Sequence, residues 1–307
     1  MRRTRLAMLV ALAALVVSTL ALASVAWAQQ GPHEGDVGTE VVGGSAVPDG
    51  KYPFMASLRA KPLFGGHFCG GTLIDADSAL TAGHCAGLIG NTTDQDTISF
   101  RAVRVVVGTT VLSSGQGQAR RIASLSDISI HPRLNLGRNF AYDVAVVDLA
   151  RPARGIRPIG LAAVGSDAHE EPGRRATVAG WGSTLAAPPD DPEPPVQYPD
   201  RMREARVPIV SDQQCARAYD APGIPPELRV VFPELMVCAG AEGVDACFGD
   251  SGGPLFVKAD GGSGQMRHRQ IGVTSFGLGC AAEGFPGVYT EVSAPSIGRF
   301  IRSAANG

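Results

Sequence analysis

The chain has 307 residues, 44% of them hydrophobic and 18% charged, with a formal net charge of -2. That is enough material for one large core or two smaller ones. A near-neutral balance without charge runs argues against nucleic-acid binding and against attachment to a membrane through a basic patch.

At the start of the chain, Arg2, Arg3 and Arg5 form a basic region, and the stretch from Leu6 to Leu22 is apolar and uncharged. Ala26-Trp27-Ala28 supplies the small-x-small pattern that a signal peptidase needs. Residues 1–28 are therefore expected to be an export signal. The mature protein is then secreted and extracellular, with no membrane segment once the signal is removed. Six cysteines form an even set, and no C-x-x-C pair is present. Disulfides are expected in an exported chain of this kind, and a metal site is not.

From Val41 onward, short apolar stretches are broken by Gly, Pro, Asn and Asp. The segments 54–58, 71–74, 103–107 and 144–149 read as strands, being short and rich in Val, Ile and Phe. A stretch with little periodicity, 151–172, could join two halves. The strand pattern returns at 176–179. The segment 187–199 is crowded with prolines and acidic residues, cannot form a ladder, and is expected to be an exposed loop. Ser211-Asp212-Gln213-Gln214 fits a capping box, which predicts a short helix running toward Tyr219. Segments 254–257 and 271–275 read as strands. Near the end, Ile297, Phe300, Ile301 and Ala304 form the one apolar face of a second helix. Many short strands with so little helix imply an all-β barrel or sandwich.

Three segments carry chemistry: Thr81-Ala82-Gly83-His84-Cys85, Tyr142-Asp143-Val144-Ala145-Val146, and Gly249-Asp250-Ser251-Gly252-Gly253-Pro254. A serine hydroxyl is a poor nucleophile at neutral pH and needs a base to take its proton. Histidine has a suitable pKa for that task. A buried carboxylate fixes the imidazole tautomer and stabilises the imidazolium. The chain order His, Asp, Ser differs from the orders found in subtilisins and α/β-hydrolases.

Together with Val41-Val42-Gly43-Gly44, Val178-Ala179-Gly180-Trp181-Gly182, Ser275-Phe276-Gly277 and Pro286-Gly287-Val288-Tyr289, these segments resemble the trypsin family of chymotrypsin-type serine proteases. The resemblance covers essentially the whole chain after residue 40. The export signal and the Ala-, Gly- and Arg-rich composition are similar to those of secreted actinobacterial trypsins. The resemblance implies an all-β fold of two antiparallel six-stranded β-barrels with a C-terminal helix. The protease domain would span 41–307, its first barrel about 41–150 and its second about 173–307, with the active site in the cleft between them.

By the same resemblance, Ser251 is the nucleophile, His84 the general base and then acid, and Asp143 the orienting carboxylate. The backbone N–H groups of Gly249 and Ser251 form the oxyanion hole. Ser275 sits behind the aspartate, and Ser275, Phe276 and Gly277 pair with an extended polypeptide substrate. Asp245 lies where trypsins carry the aspartate of the primary pocket, with Ala246 beside it and Gly277 and Gly287 as open walls. A lone buried carboxylate selects Arg or Lys, and the missing hydroxyl at Ala246 tilts the choice toward Arg, whose fork pairs bidentately. Phe276 replaces the family's usual Trp, and Phe248 stands where Gln is common. The implied disulfides are Cys69–Cys85, Cys215–Cys238 and Cys247–Cys280.

Residues 29–40 are expected to be a propeptide. Its removal would free the α-amine of Val41 to pair with Asp250. The residue before Val41 is Glu40, not Arg or Lys, so a separate activating protease is implied. Proteinaceous protease inhibitors are the other expected partners, and the enzyme is expected to be a monomer. No cofactor is required. The segment 109–121, where some trypsins hold calcium, has no acidic residue. A non-catalytic binding protein on the same scaffold would be marked by loss of a triad residue, and none is lost.

Overall fold

The structure is a computed structural model that describes residues 41–306 except 61–65, 92–96, 137–138, 190, 192–193, 227, 230 and 261–265. The expected export signal (1–28) and propeptide (29–40) lie outside the described residues. Among the described residues no helix is long and apolar enough to cross a membrane.

The first half of the chain runs β1 (Ser45–Ala46), β2 (Met55–Arg59), β3 (His67–Leu73), β4 (Ser78–Thr81), α1 (Gly83–Gly87), β5 (Ile89–Gly90), β6 (Ile98–Ser99), β7 (Arg104–Val107), β8 (Gln118–Arg120), β9 (Ile128–Ile130) and β10 (Ala145–Asp148). The second half runs β11 (Gly160–Leu161), β12 (Arg175–Gly180), β13 (Arg203–Val210), α2 (Asp212–Tyr219), β14 (Met236–Ala239), β15 (Pro254–Asp260), β16 (Met266–Phe276), β17 (Gly287–Glu291) and α3 (Pro295–Ala304).

The expected all-β double barrel with a C-terminal helix is the architecture observed. In the second half, β13-β12-β15-β16-β17-β14 follow one another, and the antiparallel pairing of β13 with β14 closes the ring into a six-stranded barrel. In the first half, β8-β7-β2-β3-β4-β10-β9 form a seven-stranded sheet that curls into a half-barrel. Two pieces of the N-terminal half of the sequence and its connector join the second sheet. β1 pairs with β13, and β11 runs parallel to β16.

Burial follows the pleat. On β13 the side chains of Ala205, Val207 and Ile209 are buried, while Arg206 between them is exposed. β2 and β14 are buried along almost their whole length, as strands enclosed on both faces must be. Ser211 caps α2, its hydroxyl accepting from the Gln214 N–H at 3.3 Å. Pro295 opens α3, where its missing N–H costs nothing. Ile297 and Ile301 on that helix are fully buried, each contributing about 2 kcal/mol. Phe300 beside them meets the His131 ring edge-on at 4.7 Å, which ties the helix to the first half.

Hydrogen bonds also cross directly between the two halves. The Gly70 N–H on β3 donates to the Ser251 carbonyl at 2.8 Å, and Thr72 Oγ1 donates to Gln270 Oε1 at 2.6 Å. The disulfides are Cys69–Cys85, Cys215–Cys238 and Cys247–Cys280.

Candidate active site

Register delivers the first two side chains. β4 and β10 pair antiparallel with Thr81 opposite Ala145, so the chain leaves β4 toward His84 at the edge where Asp143 enters β10. Thr81 is followed at once by α1, whose single turn presents His84. Tyr142 holds φ at +61°, unusual for a bulky residue, and its carbonyl accepts from the Val144 N–H at 2.8 Å. This tight turn directs Asp143 inward, a local strain of the kind found at functional sites.

Asp143 is fully buried and well supplied with donors. Its Oδ1 accepts from the His84 backbone N–H at 2.7 Å. Its Oδ2 accepts from His84 Nδ1 at 2.7 Å and from the Ser275 hydroxyl, on β16, at 2.6 Å. Thr290 on β17 donates to its carbonyl at 2.9 Å. The second barrel thus anchors the aspartate of the first. Because an ionised carboxylate only accepts, His84 Nδ1 carries the proton and Nε2 keeps its lone pair. The imidazole is partly open, its side chain 22% exposed.

His84 and Ser251 line one cavity of about 350 Å³, together with Asp245, Ala246, Ser275, Phe276, Gly277 and Gly287. Among the described residues no hydrogen bond joins Ser251 Oγ to His84 Nε2. Asp143, Gly249, Asp250 and Val41 lie outside this lining. Gly252 follows Ser251 with φ at +81°, and a Cβ there would come within 2.2 Å of Thr81 Oγ1 and 2.6 Å of the Gly70 carbonyl. Only glycine allows the serine loop to approach β3 so closely. The N–H groups of Gly249 and Ser251 donate to no protein acceptor among the described residues, which leaves both available to a ligand.

At the floor of the cavity Asp245 is 3% exposed. It takes backbone N–H bonds from Ala246, at 2.8 Å, and from Ala281. Burial without a cation pushes its carboxyl up to about 8. The Tyr289 hydroxyl nearby is buried with no partner among the described residues. A Cβ on Gly287 would stand 2.7 Å from Asp245 Oδ1 and 3.2 Å from the Tyr289 oxygen, so any larger residue would fill the floor. Phe140 flanks the entrance. Its ring meets His84 edge-on at 6.2 Å and leans on Phe276 at 5.2 Å.

Asp250 is buried behind the serine loop. Its carboxylate accepts from the N–H groups of Gly182 at 2.8 Å and Cys247 at 3.0 Å. Desolvation raises its carboxyl to about 6. The Val41 side chain is buried, but no hydrogen bond or ion pair joins Val41 to Asp250 among the described residues. In the uncut chain the Val41 nitrogen is an amide bonded to residue 40.

One contributor is invisible in the sequence. No motif marks His67, but in the fold its Nε2 lies 3.0 Å from the Gly249 carbonyl. That carbonyl can only accept, so Nε2 is the protonated nitrogen. Burial lowers the ring to about 4, which keeps it neutral. Nδ1 therefore accepts from the Ser57 hydroxyl at 2.8 Å, whose oxygen accepts in turn from Arg59 Nε at 3.0 Å. This polarised chain holds the Gly249 carbonyl, and with it the Gly249–Asp250 peptide that leads into Ser251. The signal that could have found it is the neighbourhood of two polar residues, Ser57 and His67, on adjacent apolar strands.

Comparison with known proteins identifies relatives of the chain. A family model described as Trypsin matches residues 41–297. The chain is 35% identical over 256 residues to Trypsin of Saccharopolyspora erythraea, covering 83% of this chain and 94% of that protein. It is 33% identical to Trypsin-1 of Astacus astacus, covering 82% of this chain and 95% of the relative. It is 37% identical over 262 residues to human Serine protease 56, covering 82% of this chain but only 37% of that longer protein.

Proposed function

Because the chain belongs to the trypsin family and is a serine-type endopeptidase acting on peptides, we propose that it cleaves after Arg or Lys, with Arg favoured, by an acyl-enzyme route through Ser251. The observation that carries the proposal is a single cavity with His84 backed by Asp143 on one wall, Ser251 beside it and Asp245 at the floor.

In this reading His84 Nε2 takes the Ser251 proton as Oγ adds to the scissile carbonyl. The oxyanion is received by the N–H groups of Gly249 and Ser251, each worth about 3 kcal/mol of barrier. Imidazolium, stabilised by Asp143, then gives its proton to the leaving amine. A water deprotonated by His84 attacks the acyl-enzyme and returns Ser251 to its starting state. The contact from Ser251 Oγ to His84 Nε2 is the one that tightens when substrate seats. Substrate backbone pairs with the strand end at Ser275, Phe276 and Gly277, extending β16. The Phe140–Phe276 pair narrows the space next to the primary pocket and favours a small residue there.

Selectivity rests on the two unfilled polar groups at the floor, Asp245 and the Tyr289 hydroxyl. A cationic, donor-rich side chain satisfies both. A neutral one leaves a buried carboxyl short of partners. Ala246 offers no hydroxyl to bridge a Lys, which supports the tilt toward Arg.

We further propose that residues 1–28 direct export and that 29–40 are removed by another protease cutting after Glu40. The new Val41 ammonium then becomes the cation that Asp250 lacks, locking the serine loop. In this reading the mature protein is extracellular, acts as a monomer without a cofactor, and is open to protein inhibitors that mimic an extended substrate.

The test is a panel of matched peptide amides ending in Arg, Lys, Phe, Ala and Glu, given to enzyme whose N-terminus has been sequenced. Turnover of Arg above Lys, and of both far above the rest, from enzyme beginning at Val41 is expected. Full activity in a chain that still carries Glu40 overturns the activation step. Preference for Phe or Glu overturns the pocket assignment. Ser251→Ala is the blank.

A further inference from the structure

We propose that the outer face of the second barrel binds a linear anionic polysaccharide. Two grooves on that face share no lining residue with the active-site cavity. The first, about 640 Å³, is lined by Lys51, Arg174, Arg175, Arg206 and Lys258. The second, about 450 Å³, is lined by Arg157, Arg267 and Arg269. His268 lines both and joins them. Together the two grooves carry eight Lys and Arg residues against Glu204, the single acidic lining residue.

Strand register builds the face. Thr177 on β12 pairs on one side with Arg206 on β13 and on the other with Phe256 on β15. Lys258, two residues beyond Phe256, points the same way and stands directly opposite His268 on β16. Like charges on neighbouring strands destabilise a sheet. Internal acids relieve little of this. Glu204 is engaged by Lys51, at 2.6 Å, and by the Tyr52 hydroxyl. Arg174 pairs with Glu171 at 3.0 Å. Arg206, Lys258, Arg157 and Arg267 have no ion-pair partner among the described residues. The lowered His268 reflects the same surroundings, desolvation first and then Lys258 and Lys51. An external anion is the missing complement.

The shape selects the kind of anion. Two adjoining grooves fit a charge repeated along a polymer rather than one ion. The aromatic rings present, Tyr52, Phe54 and Phe256, are buried and packed around His268, so none is open for a base to stack on, which disfavours nucleic acid. None of the large exposed hydrophobic residues lies in either groove, which disfavours a lipid surface. Arg forks spaced across a concave face whose rings are buried match sulfate or carboxylate groups carried on sugar rings.

The test titrates labelled dextran sulfate with the purified protein and follows anisotropy at about 50 and about 200 mM salt, with uncharged dextran as blank. The double variant Arg206→Glu/Lys258→Glu should weaken binding at least about 10-fold and flatten the log–log salt slope by about 2. Hydrolysis of a small Arg amide should not change. Arg101→Glu/Arg299→Glu, an equal charge change at exposed positions outside both grooves, should leave affinity within about 2-fold. Should the double reversal fail to fold, Arg206→Gln/Lys258→Gln is read in the same way, with a loss of about 3-fold or more expected. Equal loss in both variant pairs, no binding by the parent protein, or tighter binding of single-stranded DNA or phosphatidylserine vesicles overturns the proposal.

Discussion

Asp143 and Asp245 are both buried beside the same cavity, yet the fold treats them in opposite ways. Asp143 receives one backbone and two side-chain donors, from His84 and Ser275. Asp245 receives only backbone N–H groups, and burial drives its carboxyl up to about 8. The first carboxylate is solvated by the protein's own donors, as the proposed orienting role requires. The second is desolvated but left short of partners, which is the condition for a receptor. Asp250 is of the second kind, with two backbone donors and no cation among the described residues. Burial alone therefore does not separate these carboxylates. The count and kind of donors does.

The sharpest break of this comparison is Asp143→Asn. The amide keeps the shape but can donate toward His84 Nδ1, which favours the wrong tautomer. The general cost of a mis-set triad of this kind is about 10⁴-fold in kcat. Loss in kcat with KM little changed is expected from steady-state kinetics on an Arg amide. A loss confined to KM would place Asp143 in binding instead. Asp245→Ser should act on selectivity. Removing one partner of a buried ion pair costs about 3–5 kcal/mol, so kcat/KM for Arg amides should fall about 10³-fold while that for Ala amides hardly moves.

The same pair can be sharpened by pH. Burial raises the Asp245 carboxyl to about 8, so on the proposed reading a cationic side chain displaces a proton when it binds below that pH. The ratio of kcat/KM for an Arg amide to that for a neutral amide should rise roughly tenfold per unit between about pH 6 and 8, then flatten. Taking the ratio cancels any pH dependence that the two substrates share. A ratio independent of pH over that range would mean that Asp245 is ionised before substrate arrives.

The sequence exposes the fold and the site unequally. Strands such as β2, β7, β12 and β15 stand out because their apolar runs are short and bounded by turn residues. β13 does not, because its outer face carries Glu204, Arg206 and Pro208 and its inner face opens on Arg203, so only Ala205, Val207 and Ile209 look like a strand. β17 hides for the opposite reason, being buried along its whole length while containing Gly287 and Glu291. His84, Asp143 and Ser251 are readable because each is embedded in a dense local motif. His67 is not, because its role comes from the Gly249 carbonyl, 182 residues away in the chain. What no local pattern states is which backbone atoms tertiary contact brings to a side chain.

A third group of carboxylates extends the contrast to stability. Asp167, Glu170 and Glu291 converge, and the Ser293 hydroxyl bonds both glutamates. Desolvation, then Glu291, raises Glu170 to about 8. A carboxyl whose folded value lies above its unfolded one stabilises fully below the unfolded value near 4.5. It loses that contribution as pH climbs through 4.5 to about 8. Glu170→Gln removes the charge and keeps the Ser293 contact. Allowing for the exposed part of the side chain, the gain at pH about 8 should be about 1 kcal/mol, or roughly 2–4 °C in Tm. At pH about 4.5 the variant and parent should melt together, since Glu170 is then protonated in the native state. A variant less stable than its parent at pH 8 would show that the ionised glutamate is held by a cation the cluster recruits, and would move Glu170 from the company of Asp245 to that of Asp143.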